Sequence, residues 1–455
     1  MSDFVSLYTA FSGLTAAQAG INTASHNVAN ASTIGYTRQQ VDLTSRIPYH
    51  QRFGTVGQGV DIASISRARV AGLDTQVRTS ASAQGRLDVL ADLLAGAEAV
   101  MGEPNAGITN SMSGLWAALD ELTLDPPNAS ARRHVISSLD ELATNINRVA
   151  ENWELEAQSA TNSLSAYVDE TNTLLRDVAD LNLKILNASG LPGEPNDLLD
   201  QRDVVLDELA NIAGVTVTTM DNGAARVSLD GLSLVSDGMV SPLSYDTATN
   251  TISHSSGTTV TPGGELAGFQ SYLETELPAF QASLNTFAAE LTDALNAQHA
   301  LGFKPDGSAG GALLTYTPGS EARSIAIAVS DHTEIAAAGS GAPVAEYDGV
   351  NADALAALRQ SLSAGGGLLT LDDAIRSIVS DVGEMTAAAA SGARSQGALT
   401  AAAENGRMQT HGVSIDEEMV NLITYQRAYE AAARVMIAVD QNLDTLINRT
   451  GVVGR

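Results

Sequence analysis

Cysteine is absent from the 455 residues of this chain, so disulfides, thiolate metal sites and cysteine nucleophiles are all excluded. Lysine is nearly absent: the sequence has Lys184 and Lys304, and Lys184 lies inside a helical pattern where a covalent catalytic role is not expected. Aromatic residues make up 4% and charged residues 17%, while hydrophobic residues reach 44%. That balance predicts a globular chain with a sizeable core rather than a disordered one.

Long apolar runs and a basic N-terminal segment are also missing. No run approaches the about 18 apolar residues that a transmembrane helix needs. No Lys or Arg precedes Arg38, so the basic front end of a Sec-type signal peptide is lacking. Taken alone, the sequence predicts either a cytoplasmic protein or one exported by a route that reads no such signal.

Positive charge is scarce, with 24 basic residues against 53 acidic ones and a net charge of −29. A surface this negative repels nucleic acid and anionic membranes, so neither is expected as a partner. The charge is unevenly placed: residues 1–35 carry −1, residues 415–455 carry −2, and the part between them carries −26. The middle of the chain is therefore predicted to be solvated, and the two ends are suited to burial.

Motifs of common catalytic and cofactor sites are lacking as well. The sequence has no His-Glu-x-x-His, G-x-S-x-G, Walker or G-x-G-x-x-G pattern. No metal-ligand spacing links its seven histidines, which are His26, His50, His134, His254, His299, His332 and His411. Carboxylate pairs such as Asp372–Asp373 and Glu417–Glu418 are common in any acidic chain. We therefore predict no enzyme and no catalytic, cofactor-binding or metal site.

What the N-terminal segment does have is a heptad pattern. Its seam positions are apolar over four heptads, and they are Leu7, Leu14, Ile21 and Val28, with Ala10, Ala17, Ala24 and Ala31 between them. Such a seam is typical of a helix that lies along another helix. Alanine at alternate positions lets the partner helix approach closely.

The C-terminal segment repeats this pattern with larger side chains. The seam consists of Ile415, Leu422, Tyr429, Met436 and Leu443, interleaved by Glu418, Tyr425, Ala432, Val439 and Leu446. Each stripe alone also fits an ordinary amphipathic helix on a globular core, but a bulky row at one end suits a small row at the other. Burying the four large N-terminal seam residues contributes about 6–12 kcal/mol. Ordering the backbone costs about 1–2 kcal/mol per residue. We therefore expect each end to be largely unfolded alone and helical against a partner.

The stretch "SHNVANASTIGYTRQ", residues 25–39, ends the first heptad pattern. Asn27 and Asn30 are predicted to stop the helix, because Asn tolerates the left-handed conformation. Gly35 is free to take a positive φ in the turn that follows. Val41 and Leu43 then alternate as in an extended strand. The stretch is predicted to form an elbow made of a helix stop, a reversal and a strand-like exit.

The middle of the chain is mostly helical in pattern. A period near 3.6 runs from about residue 80 to 213, interrupted by Gly and Pro at "GEPNAG", "DPPNAS" and "GLPGEP". Helical blocks also cover residues 264–299 and 352–407. Between them, Asn222-Gly223, Asp230-Gly231 and Asp237-Gly238 punctuate alternating residues and predict short hairpins. Ala322 to Ser330 is predicted to be another strand.

These patterns predict a mainly α fold with β-rich insertions, arranged as nested parts. Residues 1–50 and 408–455 form the terminal helical assembly domain, with coiled-coil helices. Residues 51–212, 263–300 and 351–407 form a long helical trunk, and the small β-rich insertions cover 213–262 and 301–350.

Three stretches resemble one known family, the bacterial flagellar rod, hook and hook-associated axial proteins. They are "SHNVANASTIGYTRQ", "NDLLDQRDVVLDELANIAGV" (196–215) and "GVSIDEEMVNLITYQRAYEAAARVMIAVDQNLDTLINRTG" (412–451). "GYTRQ", in place of the Gly-Phe-Lys ending of many rod and hook members, favours the hook-associated members. The resemblance implies a structural subunit at the junction of hook and filament, with both termini at the axis of a tube and the insertions on its outer surface.

The resemblance also implies partners and a location. The subunit would assemble head to tail with copies of itself through its terminal seams, and contact the hook protein and a second hook-associated junction protein. An export chaperone would hold the C-terminal helix at Leu422, Tyr429 and Met436. The chain would be secreted by the flagellar type III export route without a cleaved signal, and would reside in the extracellular flagellum, supporting motility.

Two other classes of function remain open from the residues alone. An intracellular helical scaffold or adaptor fits the missing signal peptide, but does not explain nearly neutral ends around a strongly acidic middle. A surface hydrolase with a carboxylate site in residues 216–262 is the less favoured reading, because the motifs are missing. Within the family, a hook or rod subunit is the nearest alternative.

Overall fold

A computed structural model gives the fold and describes residues 2–51, 54–102, 107–188, 193–341, 343–445 and 447. Within these residues the chain is mostly helical, with small sheets inserted in the middle. The predicted fold class is confirmed. Among the helices of the described residues, none combines the length and the hydropathy of a membrane span.

Helices of 8 to 60 residues form the trunk. They are α2 (Ala71–Met101), α3 (Ile108–Leu124), α4 (Ala129–Ala188), α5 (Asn196–Ala213), α6 (Gly264–Ser271), α7 (Leu277–Ala300), α9 (Val350–Ala357) and α10 (Leu371–His411). A π-helical turn, Tyr272–Glu276, connects α6 to α7. The breaks after α2, α3 and α4 fall at the predicted Gly- and Pro-containing stretches, because these residues stop helix propagation.

One continuous apolar core lies inside the trunk and its insertions. The buried residues of this cluster run from Leu90 to Ala389 along the chain. Trp153 is fully buried against Phe280, with ring centroids 6.1 Å apart, and its indole N–H donates to the Ala97 carbonyl at 2.9 Å. No described residue before Leu90 or after Ala389 belongs to this cluster. The two ends of the chain therefore pack outside the main core.

The first insertion contains a four-stranded antiparallel sheet in the order β5-β6-β7-β8. Its strands are β5 (Thr216–Thr219), β6 (Ala225–Leu229), β7 (Leu232–Ser236) and β8 (Met239–Val240), and a separate hairpin pairs β9 (Leu243–Asp246) with β10 (Thr251–His254). Asp230 and Gly231 both have positive φ, 49° and 78°, as a two-residue hairpin turn requires. The three predicted hairpin turns each join two paired strands.

Two buried side chains fasten this sheet to the trunk. Asn182 of α4 donates from Nδ2 to the carbonyls of Ala225 at 2.8 Å and Asp237 at 2.9 Å. Arg202 of α5 donates to the carbonyl of Gly223 at 2.8 Å. Burial, together with the neighbouring arginines, lowers the pKa of Arg202 to about 10. The insertion is thus fixed to the trunk by directed hydrogen bonds as well as by apolar contacts.

The second insertion, residues 301–350, is largely irregular. Its two-residue strands β11 (Leu314–Thr315) and β12 (Ala326–Ile327) pair with each other, so "β-rich" overstates this segment. The predicted strand from Ala322 to Ser330 is present at Ala326–Ile327 (β12), but it is wrong at its first three residues, which belong to the helical turn α8 (Glu321–Ser324). Asn285 of α7 accepts the Ala322 N–H at 2.9 Å, and this tertiary bond favours the turn over the local alternation.

The two ends of the chain form one further unit, here called the terminal module. It consists of α1 (Ser2–Asn30), the strands β1 (Gln39–Ser45), β2 (Tyr49–Gln51), β3 (Gly54–Val56) and β4 (Val60–Arg67), and α11 (Ile415–Asp444). β1 pairs with β4 antiparallel, with an irregularity at Asp42/Leu43, and β2 pairs with β3. We call residues 39–67 the ribbon. Its return strand extends the terminal module beyond the boundary predicted at residue 50.

Candidate assembly interface

Helices α1 and α11 run antiparallel and touch at seven-residue intervals. A Cβ on Gly13 would meet Ala432 at 3.8 Å, and one on Gly20 would meet the Tyr425 ring at 2.5 Å. One heptad further, Asn27 Nδ2 donates to Glu418 Oε2 at 3.1 Å. The two ends of the chain are therefore in direct contact with each other along most of their helical length.

The glycine spacing in this pair is a feature that the heptad analysis missed. Gly13 and Gly20 are seven residues apart and lie on the α11 side of α1. At Gly20 the Tyr425 ring takes the space that any other side chain would need. The signal was present in the sequence as two glycines at heptad spacing inside an uninterrupted helical pattern, where glycine otherwise costs helix stability.

The structure places the predicted seams along this contact. In α1 the alanines Ala10, Ala17 and Ala24 are buried, and the larger residues are half-buried, namely Leu7, Leu14, Ile21 and Val28, as is Ala31 just beyond the helix. In α11 Glu418 and Val439 are buried, and half-buried positions are Leu422, Tyr425, Tyr429, Ala432, Met436 and Leu443. Ile415 is exposed, since it opens the helix beyond the end of the contact. Leu446 lies outside the described residues.

The helix pair leaves apolar side chains on its outer surface. Ile415, Met419 and Ile423 follow one another at four-residue spacing on α11 and are about half exposed (54%, 47% and 47%). We call these three residues the outer stripe. Tyr8 and Phe11 of α1 are also exposed. Four-residue spacing places side chains on one helix face, so the outer stripe is a second apolar face beside the α1 seam.

Asn27 has a different role from the predicted helix stop. Helix α1 continues through it to Asn30, and neither Asn27 nor Asn30 has a positive φ. Asn27 is buried, with 1% of its surface exposed. Its Oδ1 accepts from the Gln39 N–H at 3.0 Å and from the Tyr36 hydroxyl at 2.7 Å, and its Nδ2 donates to the Gln39 carbonyl at 2.9 Å as well as to Glu418. One amide side chain thus joins α1, the elbow, the ribbon and α11.

The reversal itself lies between residues 31 and 38. The Thr33 N–H donates to the Asn30 carbonyl at 2.9 Å, and Gly35 has the predicted positive φ, 77°. A Cβ on Gly35 would also lie 2.1 Å from the Val204 side chain of α5. Burial and the nearby carboxylates, Asp197 first, raise the pKa of Tyr36, so its hydroxyl stays a hydrogen-bond donor. The elbow is shaped by its contact with the trunk as much as by its own sequence.

Arg38 fixes the exit of the elbow to the start of α11. Its Nε donates to Glu418 at 2.7 Å, and its Nη1 lies 3.2 Å from Glu417. Its backbone N–H donates to the His411 carbonyl at 2.9 Å. The buried Glu418 carboxylate thus bonds to the Arg38 guanidinium as well as to the Asn27 amide, which offsets its loss of hydration.

A cluster of arginines and carboxylates joins the terminal module to the trunk. The arginines come from β4, the segment after it, α2 and α10, and the carboxylates come from α2 and α5. We call this the junction cluster: Arg67, Arg69, Arg78 and Arg407 with Asp74, Asp200, Asp203 and Asp207.

The α5 carboxylates explain the central signature of the sequence. Asp200, Asp203 and Asp207 occur at spacings of three and four, so they share one face of α5. Arg67 Nη1 lies 2.8 Å from both Asp200 and Asp203, and Arg69 Nη1 lies 2.7 Å from Asp203. Burial alone favours the neutral form of Asp203, but Arg69 and Arg67 outweigh it and lower its pKa. Sequence patterns could not predict which arginines these carboxylates contact, because all four arginines are distant from α5 along the chain.

His411 sits at the edge of the junction cluster as a neutral acceptor. The Val70 N–H donates to its Nε2 at 3.0 Å, and its Nδ1 lies 3.8 Å from Asp74. Burial lowers the pKa of His411, against the opposing effect of Asp74 and with the help of nearby arginines. The imidazole therefore joins α10 to the start of α2 in its uncharged form.

The histidines and carboxylates of the described residues act as structural partners. No group of three or more His, Asp or Glu side chains among these residues could hold a metal ion. The buried His299 is a structural residue: its Nε2 accepts from the Ala336 N–H at 2.8 Å, and its Nδ1 lies 2.7 Å from the Gly311 carbonyl. The described polar clusters connect helices and strands with each other.

Both ends of the chain match family models of flagellar proteins. Residues 7–37 match the model for flagella basal body rod protein, and residues 404–449 match the model for the C-terminal part of flagellar basal body rod FlgEFG protein. These are the residues of α1, the elbow and α11. The fold and the terminal module thus define a structural protein of the bacterial flagellum, which associates with other flagellar components.

The trunk and the full-length relatives identify the family. Residues 94–314 match the model for the flagellar hook-associated protein FlgK helical domain. The chain is 31% identical to flagellar hook-associated protein 1 of Bacillus subtilis (strain 168), with 100% of both chains covered. It is 25% identical to the protein of that name from Escherichia coli (strain K12), over 96% of this chain and 98% of the relative. The chain belongs to the family of flagellar hook-associated protein 1.

A solved structure shares the fold. The structure of the flagellar hook junction protein FlgK from Burkholderia pseudomallei superposes with a TM-score of 0.66 at 18% identity. The match covers 75% of this chain and 100% of that one.

Proposed function

We propose that this chain is a non-enzymatic adapter at the junction between the flagellar hook and the filament. The observation that carries the proposal is the terminal module: both chain ends meet in one helix pair that lies outside the trunk core and keeps an apolar outer surface. A monomer gains nothing from exposing Ile415, Met419 and Ile423. Neighbouring subunits that cover such a face gain about 1.5–3 kcal/mol for each large side chain fully buried.

The proposed assembly is head to tail. A tubular lattice needs interfaces between two different surfaces of the subunit, since a self-complementary interface closes into a dimer. The antiparallel α1–α11 pair provides an elongated body with different side chains at its two ends and on its sides. In this proposal the hook protein contacts one end of the assembled ring, and a second hook-associated junction protein contacts the other.

We also propose export through the flagellar type III route, with the terminal helices unfolded during passage. Among the described residues of α11, Glu418 and Val439 are the buried ones, so α11 has little buried apolar surface to keep it folded alone. An export chaperone would bind this helix. Leu422, Tyr429 and Met436, proposed as its contacts, are half-buried on the α1 side, so the chaperone would compete with α1 for them.

The test replaces Leu14 with Glu in a strain whose own copy of the gene is deleted. Leu14 is a half-buried seam residue, and a charge there disrupts the helix pair while the trunk core is untouched. We expect a folded trunk by circular dichroism, loss of incorporation into flagella, and loss of swimming. Leu443→Glu should behave in the same way.

Leu155→Glu is the matched control. Leu155 lies on α4 of the trunk with 67% of its surface exposed, so the same change there should leave incorporation intact. Incorporation of Leu14→Glu at the wild-type level would refute assembly through the terminal seams. Absence of the wild-type chain from isolated hook–filament junctions would refute the junction role itself.

A further inference from the structure

The chain passes twice between the trunk and the terminal module, and the two crossings lie side by side. The first, residues 68–70, leads from β4 into α2, and the second, residues 412–414, leads from His411 at the end of α10 into α11. Arg38 joins them through its backbone: its N–H donates to the His411 carbonyl at 2.9 Å, and its carbonyl accepts from the Ala68 N–H at 2.8 Å. We call the two crossings, together with Arg38 and His411, the joint.

The imidazole ring of His411 completes the joint. Val70, at the N-cap of α2, donates its N–H to Nε2 of the ring at 3.0 Å. The ring is buried, with 5% of the residue exposed. A nitrogen that accepts a hydrogen bond carries no proton, so the ring is neutral and its one proton is on Nδ1, which lies 3.8 Å from Asp74. The bond across the joint therefore requires an uncharged His411.

The charged groups that face this ring are mostly cations. They are Arg69 of the first crossing, Arg67 of β4, Arg407 of α10 and Asp74 of α2. Asp74 is already bound to Arg69, whose Nε and Nη2 donate to its two oxygens at 2.8 and 3.0 Å. Burial lowers the pKa of His411, and the three arginines add to this effect against the opposing effect of Asp74.

The other carboxylates near the joint are paired with arginines as well. The α5 carboxylates of the junction cluster contact these same three arginines. On α11, Glu417 and Glu418 contact the guanidinium of Arg38. Each of these carboxylates thus has a cationic partner already, and a positive charge on the His411 ring would be added to a group of arginines.

We propose that protonation of His411 opens the joint and frees the terminal module to move relative to the trunk. A second proton on the ring goes to Nε2, where an N–H donor then faces the N–H donor of Val70. Two donors cannot bond, so the ring turns away and the Val70 bond is lost. The opening concerns the single chain, so it does not depend on the proposed function.

The direction of the pH effect follows from the two states of the ring. In the open joint His411 is solvated and takes up its proton near the ordinary pKa, 6.5, whereas in the closed joint its pKa is lower. The stabilisation of the closed joint is therefore fully present above pH 6.5 and is lost as the pH falls toward the pKa of the closed state. Asp203 keeps its charge at about pH 5, because its pKa lies below the ordinary value of 3.8.

Hydrogen exchange of the Val70 amide in the full-length chain tests whether the bond opens. We expect its protection, corrected for the intrinsic exchange rate, to fall about tenfold between pH 7.5 and 5, since uptake of one proton changes an equilibrium by at most tenfold per pH unit. The His411 ring, followed by NMR of ¹³C-labelled histidine, should titrate over the same pH range. Unchanged protection of Val70, or a ring that titrates at or above pH 6.5, overturns the proposal.

His411→Gln separates the proton from the bond. A glutamine Oε1 can accept from the Val70 N–H but takes up no proton in this pH range, so the acid-dependent loss of protection should disappear. His134→Gln is the matched control, because His134 is an exposed trunk histidine that should not affect the joint. If His411→Gln responds to acid as His134→Gln does, the proposal is wrong. If Val70 is unprotected in His411→Gln at both pH values, agreement or disagreement between ring titration and Val70 exchange in the wild type decides.

The absence of cysteine allows the motion itself to be measured with two spin labels. Thr44→Cys on the ribbon and Ser395→Cys on α10 place exposed labels on the terminal module and on the trunk. We expect the distribution of label distances to broaden between pH 7.5 and 5 and to stay narrow when His411→Gln is added. A pair within the trunk, Ser395→Cys with Gln158→Cys, should not change. Equal distributions at the two pH values, or equal broadening of both pairs, overturn the release of the terminal module.

Discussion

At the scale of single residues, Asn27 determines how the elbow is built. Its amide makes four hydrogen bonds, two with the backbone of Gln39 and one each with Tyr36 and Glu418. A carboxylate or an alkyl side chain of similar size could not both donate and accept in this way. The residue therefore serves as a connector in the middle of a helix turn rather than as a helix stop.

Replacing Asn27 with Ala should loosen the elbow selectively. The change removes a hydrogen-bond partner from the buried Gln39 N–H and from the buried Glu418 carboxylate. Together these losses should destabilise the elbow by about 3 kcal/mol. Hydrogen exchange of the α1 and ribbon amides should accelerate about 100-fold, while the trunk core is unchanged. Asn22→Ala is the control, because Asn22 is exposed and its side chain accepts a hydrogen bond from Gln18 of the same helix. Equal exchange in the two variants would contradict the connector role.

At the scale of elements, the distance between α1 and α11 depends on the size of the side chains where the two helices touch. Gly20 accommodates the Tyr425 ring, whereas Gly13 faces Ala432 at ordinary van der Waals distance. The two glycines share a heptad position but differ in role. Gly20 is needed for the close approach of Tyr425, whereas Gly13 could be replaced by a larger residue. The pair offers an internal comparison.

Gly20→Ala and Gly13→Ala should change stability in opposite directions. A Cβ at Gly20 would overlap the Tyr425 ring, and such overpacking costs about 1–3 kcal/mol. A Cβ at Gly13 meets no obstacle closer than 3.8 Å and should stabilise the helix by about 0.5–1 kcal/mol. Hydrogen exchange of α1 amides measures both changes. If Gly20→Ala is as stabilising as Gly13→Ala, the close approach of Tyr425 is refuted.

At the scale of the whole molecule, the junction cluster sets how the terminal module is attached to the trunk. The main apolar cluster does not extend into this attachment, since its buried members run from Leu90 to Ala389. Instead, Arg67 at the end of the ribbon and Arg69 just after it contact Asp200 and Asp203 of α5. A charged attachment depends on pH in a way that an apolar one does not.

Asp203→Asn should weaken this attachment and reduce its acid sensitivity. The folded pKa of Asp203 lies below its ordinary value. Its stabilising effect is therefore present above pH 4, near the unfolded pKa, and is lost as the pH falls through the folded pKa. Removing the Asp203 charge leaves the buried arginines with too few carboxylate partners, which should lower the free energy of unfolding at pH 7 by about 3 kcal/mol. Unfolding in urea between pH 3 and 7 measures the effect.

Glu208→Gln is the control for this change. Glu208 is an exposed carboxylate on the same helix and lies outside the junction cluster. The Glu208→Gln variant should have the wild-type free energy of unfolding at pH 7 and the wild-type pH dependence of that energy. If Asp203→Asn behaves like Glu208→Gln, the cluster does not hold the module.

Much of the fold could be predicted from the sequence because its causes are local. The Gly- and Pro-containing breaks set the ends of the trunk helices, the Asp-Gly pairs set the hairpins, and the heptads marked the helix faces that meet. The positive φ of Gly35 follows from the same local chemistry. For the helix ends, the hairpin turns and Gly35, the deciding interaction lies within a few residues along the chain.

Tertiary structure alone decided the rest. Asn27 does not end the helix as predicted, because its side-chain amide is hydrogen-bonded to both Glu418 and Gln39. Ala322 lies in a helical turn because Asn285 accepts its N–H. The sequence of α11 has two apolar faces, and the contact with α1 decides which of them is the buried seam and which is the exposed outer stripe. The sequence determined which helices and turns form, since these depend on neighbours in the chain; the fold decided which side chains face each other, since that depends on residues far apart.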